Sequence, residues 1–179
     1  IVSYDPKDGS RHWFTVGPKG RAVASPVFAA GLFLVATAYP SKELLALKPD
    51  GHGDVTATHI AWRTRQSAPY VPSPIAVGDY FLAVSDGGIA ICLEAKTGQR
   101  VWQQRLGKGH SAAPVTAGGL VYFVSDAGIT RVVRPGPKFE QVAENPISER
   151  TYASPAISRG QIFIRGEKHL FCIGKKAVQ

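Results

Sequence analysis

Several features that commonly mark a protein's class are missing from this sequence. It contains no methionine, even at position 1, so we expect a processed chain or a piece of a longer one. No apolar run approaches the roughly 20 residues that a membrane span requires, and the first residues show no signal peptide. The sequence therefore predicts no membrane span, and it does not itself reveal a compartment.

The motifs of common catalytic and metal sites are missing as well. The five histidines show no paired spacing, and there is no Cys-x-x-Cys, Gly-x-Ser-x-Gly or Gly-x-x-x-x-Gly-Lys motif. The two cysteines, Cys92 and Cys172, lie two repeats apart, so we expect no disulfide between them. We predict no catalytic residues and no metal ligands, which favours a non-enzymatic protein while the question of an enzyme stays open.

Acidic residues are few relative to basic ones. The chain has 21 Lys and Arg against 13 Asp and Glu, a net charge of +8. Such a surplus attracts nucleic acids, anionic lipids or acidic polymers, or it simply keeps a protein in solution. Because no nucleic-acid-binding motif accompanies the charge, we do not expect nucleic acid as a partner. A basic rim that binds an anionic polymer is the weakest of three functional hypotheses.

What the sequence does contain is a repeat of about 40 residues. A proline opens an apolar run in each unit, at Pro26, Pro74, Pro114 and Pro155. A tryptophan precedes three of these prolines by about 12 residues, at Trp13, Trp62 and Trp102. Each unit divides into four short runs rich in Val, Ile, Phe and Tyr, separated by Gly, Asp and Ser, which is typical of antiparallel strands and hairpins. Repeated four-stranded units predict an all-β fold, a β-propeller of four-stranded antiparallel blades with about four blades in this chain.

Two segments carry a more specific resemblance. The segment "LEAKTGQRVW" (93–102) contains Glu94, Thr97, Gly98 and Trp102, and "YDPKDGSRHW" (4–13) repeats the pattern up to Trp13. They resemble the tryptophan-docking motif of the PQQ-like (quinoprotein-type) β-propeller repeat family. The unit that ends at Trp62 has an insertion in its turn, and the last unit lacks the motif. The resemblance implies docking roles for Trp13, Trp62, Thr97, Gly98 and Trp102, rings of seven or eight blades, and bacterial proteins outside the cytoplasm.

The domain prediction is a single partial propeller over 1–179. It comprises the end of one blade (1–17), three blades (25–66, 73–107 and 114–145) and an incomplete blade (154–174). Three arrangements stay open: a fragment of a larger ring, a half-ring that pairs with a second chain, and a closed ring of four blades. Open blade ends expose apolar faces and strand edges, so we expect the isolated chain to associate with itself.

A candidate ligand site follows from the strand order. In antiparallel blades, the turn between the second and third strands lies on the same rim as the link into the next blade. The phrases "VSDGG" (84–88) and "VSDAG" (124–128) are two such turns, and we interpret Asp86 and Asp126 as turn residues. Because loops carry binding function in rigid folds, we predict a ligand site on the links. Its candidate residues are Arg21, Tyr70, His110, Arg150 and Tyr152.

Two principal functions remain. The first is a non-enzymatic scaffold that binds a protein partner, or the missing blades, at these loops without a cofactor. The second, implied by the resemblance alone, is a portion of a PQQ-dependent quinoprotein, an alcohol-type dehydrogenase that would use PQQ and calcium. Nothing in the sequence matches the carboxylates and amide that hold those groups in the family, so the resemblance supports the fold more than the cofactor.

Overall fold

The chain folds into a succession of small antiparallel sheets. A computed structural model describes residues 1–17 and 20–174. The strands are β1 (Val2–Tyr4), β2 (Arg11–Phe14), β3 (Gly20–Arg21), β4 (Val27–Ala29), β5 (Leu32–Thr37), β6 (Tyr39–Pro40), β7 (Glu43–Leu47), β8 (Gly53–Asp54), β9 (Ile60–Thr64), β10 (Ile75–Val77), β11 (Tyr80–Val84), β12 (Ile89–Glu94), β13 (Arg100–Arg105), β14 (Val115–Ala117), β15 (Leu120–Val124), β16 (Ile129–Arg134), β17 (Glu140–Pro146), β18 (Ala156–Ser158), β19 (Gln161–Arg165) and β20 (Leu170–Ile173). The predicted all-β class is confirmed, and the described part of the chain holds no helix long and apolar enough to cross a membrane.

Three sheets have four strands each, and we call them blades 1, 2 and 3. Blade 1 has the order β4-β5-β7-β9, blade 2 the order β10-β11-β12-β13, and blade 3 the order β14-β15-β16-β17. Every neighbouring pair within them is antiparallel. Blade 4 has three described strands, β18-β19-β20, and β1 pairs with β2 ahead of blade 1. The propeller of antiparallel blades that the repeat predicted is therefore present.

The core lies between blades. Leu34 and Leu44 of blade 1 pack with Phe81 and Ile91 of blade 2 in one buried cluster. Blades 2 and 3 share a second cluster that includes Leu82 and Phe123. Because both faces of the middle strands are covered, β7 is buried along its whole length, and after Glu43 it is a continuous apolar run from Leu44 to Leu47.

The three docking tryptophans join consecutive units at the outer strands. The indole N–H of Trp62, on β9, donates to the carbonyl oxygen of Ala95 in blade 2 at 2.9 Å. The indole of Trp102, on β13, donates to Gly136 in blade 3 at 3.1 Å, and that of Trp13 donates to Pro49 in blade 1 at 2.8 Å. Each indole thus satisfies its single donor on the turn of the following blade while its ring is largely buried there.

Three short strands were not predicted. Strand β8 lies in the insertion before Trp62 and pairs in parallel with β2, where Trp13 faces Gly53 and Phe14 faces Asp54. Strands β3 and β6 pair with each other in the link into blade 1. The insertion therefore extends the sheet of the first hairpin and ties it to blade 1.

Candidate functional site

The links into the blades and the turns between second and third strands lie together on one rim, which we call the link rim. The links are residues 20–25, 67–73, 107–113 and 148–154. Main-chain hydrogen bonds join them to the turns: the N–H of His110 donates to Asp86 at 3.0 Å, and that of Thr151 donates to Asp126 at 3.2 Å. The links into blades 3 and 4 are therefore tied by their backbones to the turns of the preceding blades.

Asp86 holds a link with its side chain as well. One carboxylate oxygen accepts the main-chain N–H of Tyr70 at 2.9 Å, and the other accepts that of Val71 at 3.1 Å. The ammonium of Lys42 lies 3.2 Å from the same carboxylate. Burial opposes ionisation, but these donors outweigh it and hold the pKa of Asp86 below its ordinary value. Asp86 is thus a clamp on the link into its own blade, beyond its place in the turn.

Asp126 repeats the arrangement one blade later. Its carboxylate accepts the main-chain N–H of Ser111 at 2.8 Å, in the link into blade 3. The last glycine of each turn packs on the following link: a Cβ on Gly88, which has φ +82°, would clash with the carbonyl oxygen of Gly107, and one on Gly128, which has φ +77°, would clash with that of Glu149. The repeated phrase "SDGG"/"SDAG" therefore marks the contact between a turn and two consecutive links.

Tyr70 and His110, two of the predicted ligand residues, sit on either side of Asp86. The ring of Tyr70 is half-buried, with the ammonium of Lys42 5.9 Å from its centroid. His110 is 2% exposed, and no described residue hydrogen-bonds to either of its ring nitrogens. Burial lowers the pKa of His110, the nearby carboxylate of Asp126 raises it, and the guanidinium of Arg131 lowers it. The net effect is a pKa of His110 below its ordinary value, with the imidazole buried inside the joint between blades 2 and 3.

Arg150 and Tyr152 are the two predicted residues whose side chains meet. The Arg150 guanidinium donates to the hydroxyl of Tyr152 and lies 5.4 Å from the centroid of its ring. Both line a groove of about 250 Å³, together with Arg165 and Glu167. Because Tyr152 is 49% exposed, this pair presents a basic and aromatic surface to solvent.

Arg21 lies apart from the other candidates. It is exposed on β3, where its backbone pairs with Tyr39. Within residues 1–17 and 20–174, no hydrogen bond, ion pair or ring contact joins its side chain to the other four residues. The link rim therefore gathers the candidates on one face as separate positions rather than as one pocket.

Sequence reasoning missed three residues of this rim. Lys42 lies in the turn between the second and third strands of blade 1, and Arg165 lies at the edge of the corresponding turn of blade 4. Asp86 was interpreted only as a turn residue, and its hydrogen bonds to the link were not predicted. The signal for Asp86 was present, because the same Asp recurs at the same place in two units. Lys42 and Arg165 have no repeat equivalent, so pattern alone could not single them out.

The described residues do not fit a quinone cofactor with calcium. No cluster of three His, Cys, Asp or Glu side chains able to hold a metal ion occurs among residues 1–17 and 20–174. The three tryptophans are engaged on neighbouring blades rather than available to stack on a planar ring. We therefore derive no chemical step through such a cofactor.

Comparison with known proteins places this architecture among PQQ-type propellers. A PQQ-type family model, described as "Outer membrane protein assembly factor BamB", matches residues 54–134. Over that segment, which is less than half of the chain, the sequence is similar to PQQ-like propeller repeats. The predicted resemblance to this family is thereby confirmed, and Trp62 and Trp102 both lie within the matched segment.

Individual relatives agree with this family. The outer membrane protein assembly factor BamB of Burkholderia pseudomallei (strain K96243) is 29% identical over 96 residues, which are 54% of this chain and 25% of the relative. The crystal structure of BamB from Moraxella catarrhalis aligns with a TM-score of 0.75 at 15% identity, over 97% of this chain and 51% of that chain. The chain thus spans between a quarter and about half of the length of these proteins.

A designed protein shares the same fold. The computationally designed Ika4 protein aligns with a TM-score of 0.70 at 11% identity, over 93% of this chain and 99% of that chain. At such low identities, the two structural matches show the fold of the present chain.

Proposed function

We propose that this chain is a non-enzymatic scaffold of PQQ-like repeats that binds a protein partner through its link rim. The matching family model and the Burkholderia relative are both described as outer membrane protein assembly factors, so we propose the same process for the protein that contains this chain. Outer membrane assembly takes place outside the cytoplasm, and we accordingly propose an extracytoplasmic bacterial setting. No cofactor is required for this role.

The proposal rests on one observation about the link rim. The hydrogen bonds that hold its backbone recur from blade to blade, whereas the side chains that it presents differ. Asp86 and Asp126 fix consecutive links by equivalent hydrogen bonds. On that frame, exposed Arg21, half-buried Tyr70, and exposed Arg150 and Tyr152 differ from one blade to the next. Aromatic and Arg side chains on a rigid frame are the residue types that dominate protein–protein recognition.

The proposal is tested in the bacterium that makes the full-length protein. A photo-crosslinking residue at Tyr152 is expected to capture an outer membrane assembly protein, while the same residue at Lys96, in the turn before Trp102, serves as the control. The double variant Arg150→Ala and Tyr152→Ala should lower the amount of folded outer membrane protein without lowering the amount of scaffold. Normal outer membrane protein levels together with crosslinks only from position 96 would reject a link-rim interface.

The quinoprotein alternative makes a different prediction. A dehydrogenase would change its absorption on addition of PQQ and calcium and would reduce an electron-accepting dye in the presence of an alcohol. We expect neither response from the full-length protein. Dye reduction that depends on PQQ would replace the scaffold proposal with the enzyme.

A further inference from the structure

Blades 2 and 3 each place one of their own carboxylates on the backbone of the link that leads into them. In blade 2 the carboxylate of Asp86 accepts two link N–H groups, and in blade 3 that of Asp126 accepts the N–H of Ser111. Two consecutive joints thus contain the same carboxylate position, filled from within the chain.

Blade 4 keeps the backbone of this arrangement and leaves the carboxylate position open. The N–H of Glu167 donates to the carbonyl of Arg150 at 3.0 Å, as the N–H of Asp126 donates to Gly109 at 2.9 Å. Tyr152 therefore corresponds to Ser111, yet no described residue accepts a hydrogen bond from its main-chain N–H. The carboxylate of Glu167 instead points to Arg150, 4.0 Å from its Nε.

A groove occupies this position. It has a volume of about 250 Å³ and is lined by Arg150, Thr151, Tyr152, Arg165 and Glu167, with two smaller residues. The hydroxyl of Thr151 donates to the carbonyl of Arg165 at 2.6 Å and holds the two walls together. The groove is therefore a feature of the folded blade and not a gap between loose loops.

The charges around the groove favour an anion. Its lining carries two guanidiniums and the carboxylate of Glu167, which lies at the far limit of an ion pair, while the adjacent carboxylate of Glu149 is engaged by the His169 ring and the N–H of Lys168. Arg150 is oriented by the hydroxyl of Tyr152 and Arg165 by the carbonyl of Gly166, both neutral acceptors. Neutral acceptors hold the side chains in place without cancelling their charge, and guanidiniums so placed bind carboxylates with a forked geometry.

We propose that this groove, the carboxylate groove, binds an acidic side chain of the protein partner. The incoming carboxylate takes the position that Asp86 and Asp126 take in blades 2 and 3, where it accepts the N–H of Tyr152 and contacts Arg150 and Arg165. The inference rests on the proposed function, because the groove belongs to the same link rim, and it names the chemistry that the rim recognises.

The test is a titration followed by the amide spectra of the isotope-labelled protein. The probe is a capped peptide of Gly and Ser with two central Glu residues, whose side chains are its only carboxylates, and the control peptide replaces both Glu with Gln. We expect the Glu peptide to shift the amides of Tyr152 and Ala153 and the Gln peptide to bind about tenfold more weakly. Equal binding of both peptides, or shifts confined to other blades, would overturn the proposal.

Variants distinguish binding of the peptide at the groove from its non-specific attraction to a basic protein. Arg165→Gln should weaken the Glu peptide about tenfold, whereas Lys96→Gln, the same charge change in a turn on the other rim, should have little effect. Glu167→Gln should tighten binding, because it removes the carboxylate of the groove lining that competes for Arg150. Equal weakening by Lys96→Gln and Arg165→Gln would show attraction without a site, and weaker binding by Glu167→Gln would contradict the groove.

Three further outcomes distinguish the sources of failure. Inorganic phosphate that displaces the peptide at equal concentration would assign the groove to phosphate and reject an acidic side chain. If the peptide does not bind but the Tyr152 crosslinks still capture an assembly protein, the carboxylate groove is wrong and the proposed function stands. If the peptide binds and no rim variant alters outer membrane assembly, the proposed function fails and the groove requires another partner.

Discussion

At the scale of single residues, a serine hydroxyl joins the inner ends of neighbouring blades at two of three joints. The N–H of Ser25 donates to Oγ of Ser73 at 2.9 Å between blades 1 and 2, and the N–H of Ala113 donates to Oγ of Ser154 at 2.9 Å between blades 3 and 4. At the joint of blades 2 and 3, the corresponding acceptor position is Ala113, which has no hydroxyl.

The missing hydroxyl at position 113 leads to a prediction: a serine there should add a hydrogen bond between blades 2 and 3. Ala113→Ser should supply an acceptor for the N–H of Ser73 and stabilise the protein by about 1 kcal/mol, the net worth of an intramolecular hydrogen bond. Ser154→Ala should destabilise it by a similar amount. Urea unfolding of the two variants beside the parent measures both effects. A stability unchanged in Ala113→Ser but lowered in Ser154→Ala would mean that the joints are not equivalent.

A second prediction concerns Asp86 and acid. Because the pKa of Asp86 in the folded chain is below its ordinary value of 3.8, the unfolded chain takes up the proton first as pH falls. The stability that Asp86 contributes is therefore complete well above pH 3.8 and is lost as pH falls through that value and below. Asp86→Asn should lower stability by about 1–2 kcal/mol at neutral pH, and the difference from the parent should shrink by pH 3.

Thermal unfolding across pH 3–7 measures this dependence. Asp79→Asn is the matched control, since it removes the same charge from a turn on the opposite rim. Parallel curves for the parent and Asp86→Asn over the whole range would show that the clamp acts without its charge.

At the scale of elements, the docking turn depends on a glycine that a neighbouring blade covers. Gly98 has φ +71°, and a Cβ there would lie 2.4 Å from Cδ2 of Trp62. Gly9 occupies the same place in the first motif with φ +74°, but a Cβ there would meet nothing within 4 Å. The two glycines therefore share a backbone conformation and differ in what packs on them.

This pair separates backbone strain from docking. Gly9→Ala should cost about 1 kcal/mol, from the left-handed conformation alone. Gly98→Ala should cost at least about 2 kcal/mol more, because Trp62 must withdraw from the turn and lose its bond to Ala95. Tryptophan fluorescence and denaturant unfolding measure both consequences, and equal losses in the two variants would contradict the docking argument.

Most of the strands and their division into blades were predictable from the sequence, because the residues that mark them recur periodically. The four prolines and three tryptophans fix the phase of the blades, and the strands follow from alternation between turn residues. Strand β8 was not predictable, since Gly53 and Asp54 pair with β2 only after the insertion folds back. The burial of His110 was not predictable either, because a polar residue in a link is ordinarily exposed.

The candidate site was predictable as a rim but not as a set of contacts. Antiparallel order alone brings the links and the second-to-third-strand turns to one face. Which side chains meet there depends on residue type in turns of equal length: blade 4 has Glu167 where blades 2 and 3 have Asp86 and Asp126, and its carboxylate lies beside Arg150 instead of on the link backbone. A change of one residue type at this turn position therefore accompanies the change from a filled to an open carboxylate position.

At the scale of the whole molecule, the two ends of the blade series expose strand edges and apolar side chains, which are covered at the joints between blades. Tyr4 on β1 is 59% exposed and Leu170 on β20 is 65% exposed. Within the described residues, β1 pairs only with β2, and β20 pairs only with β19. Free strand edges with apolar side chains favour pairing with another chain.

We therefore predict that the isolated chain self-associates. Static light scattering should show a mean mass that rises with concentration in the micromolar range, and Leu170→Lys should reduce it, because a charge on the edge of β20 opposes strand pairing. Val23→Lys, an equally apolar-to-charged change at an exposed link position, should leave the association unchanged. A clean monomer at micromolar concentration would refute the prediction. Equal effects of the two lysines would assign the association to net charge, since both variants raise it by one, and not to the strand edge.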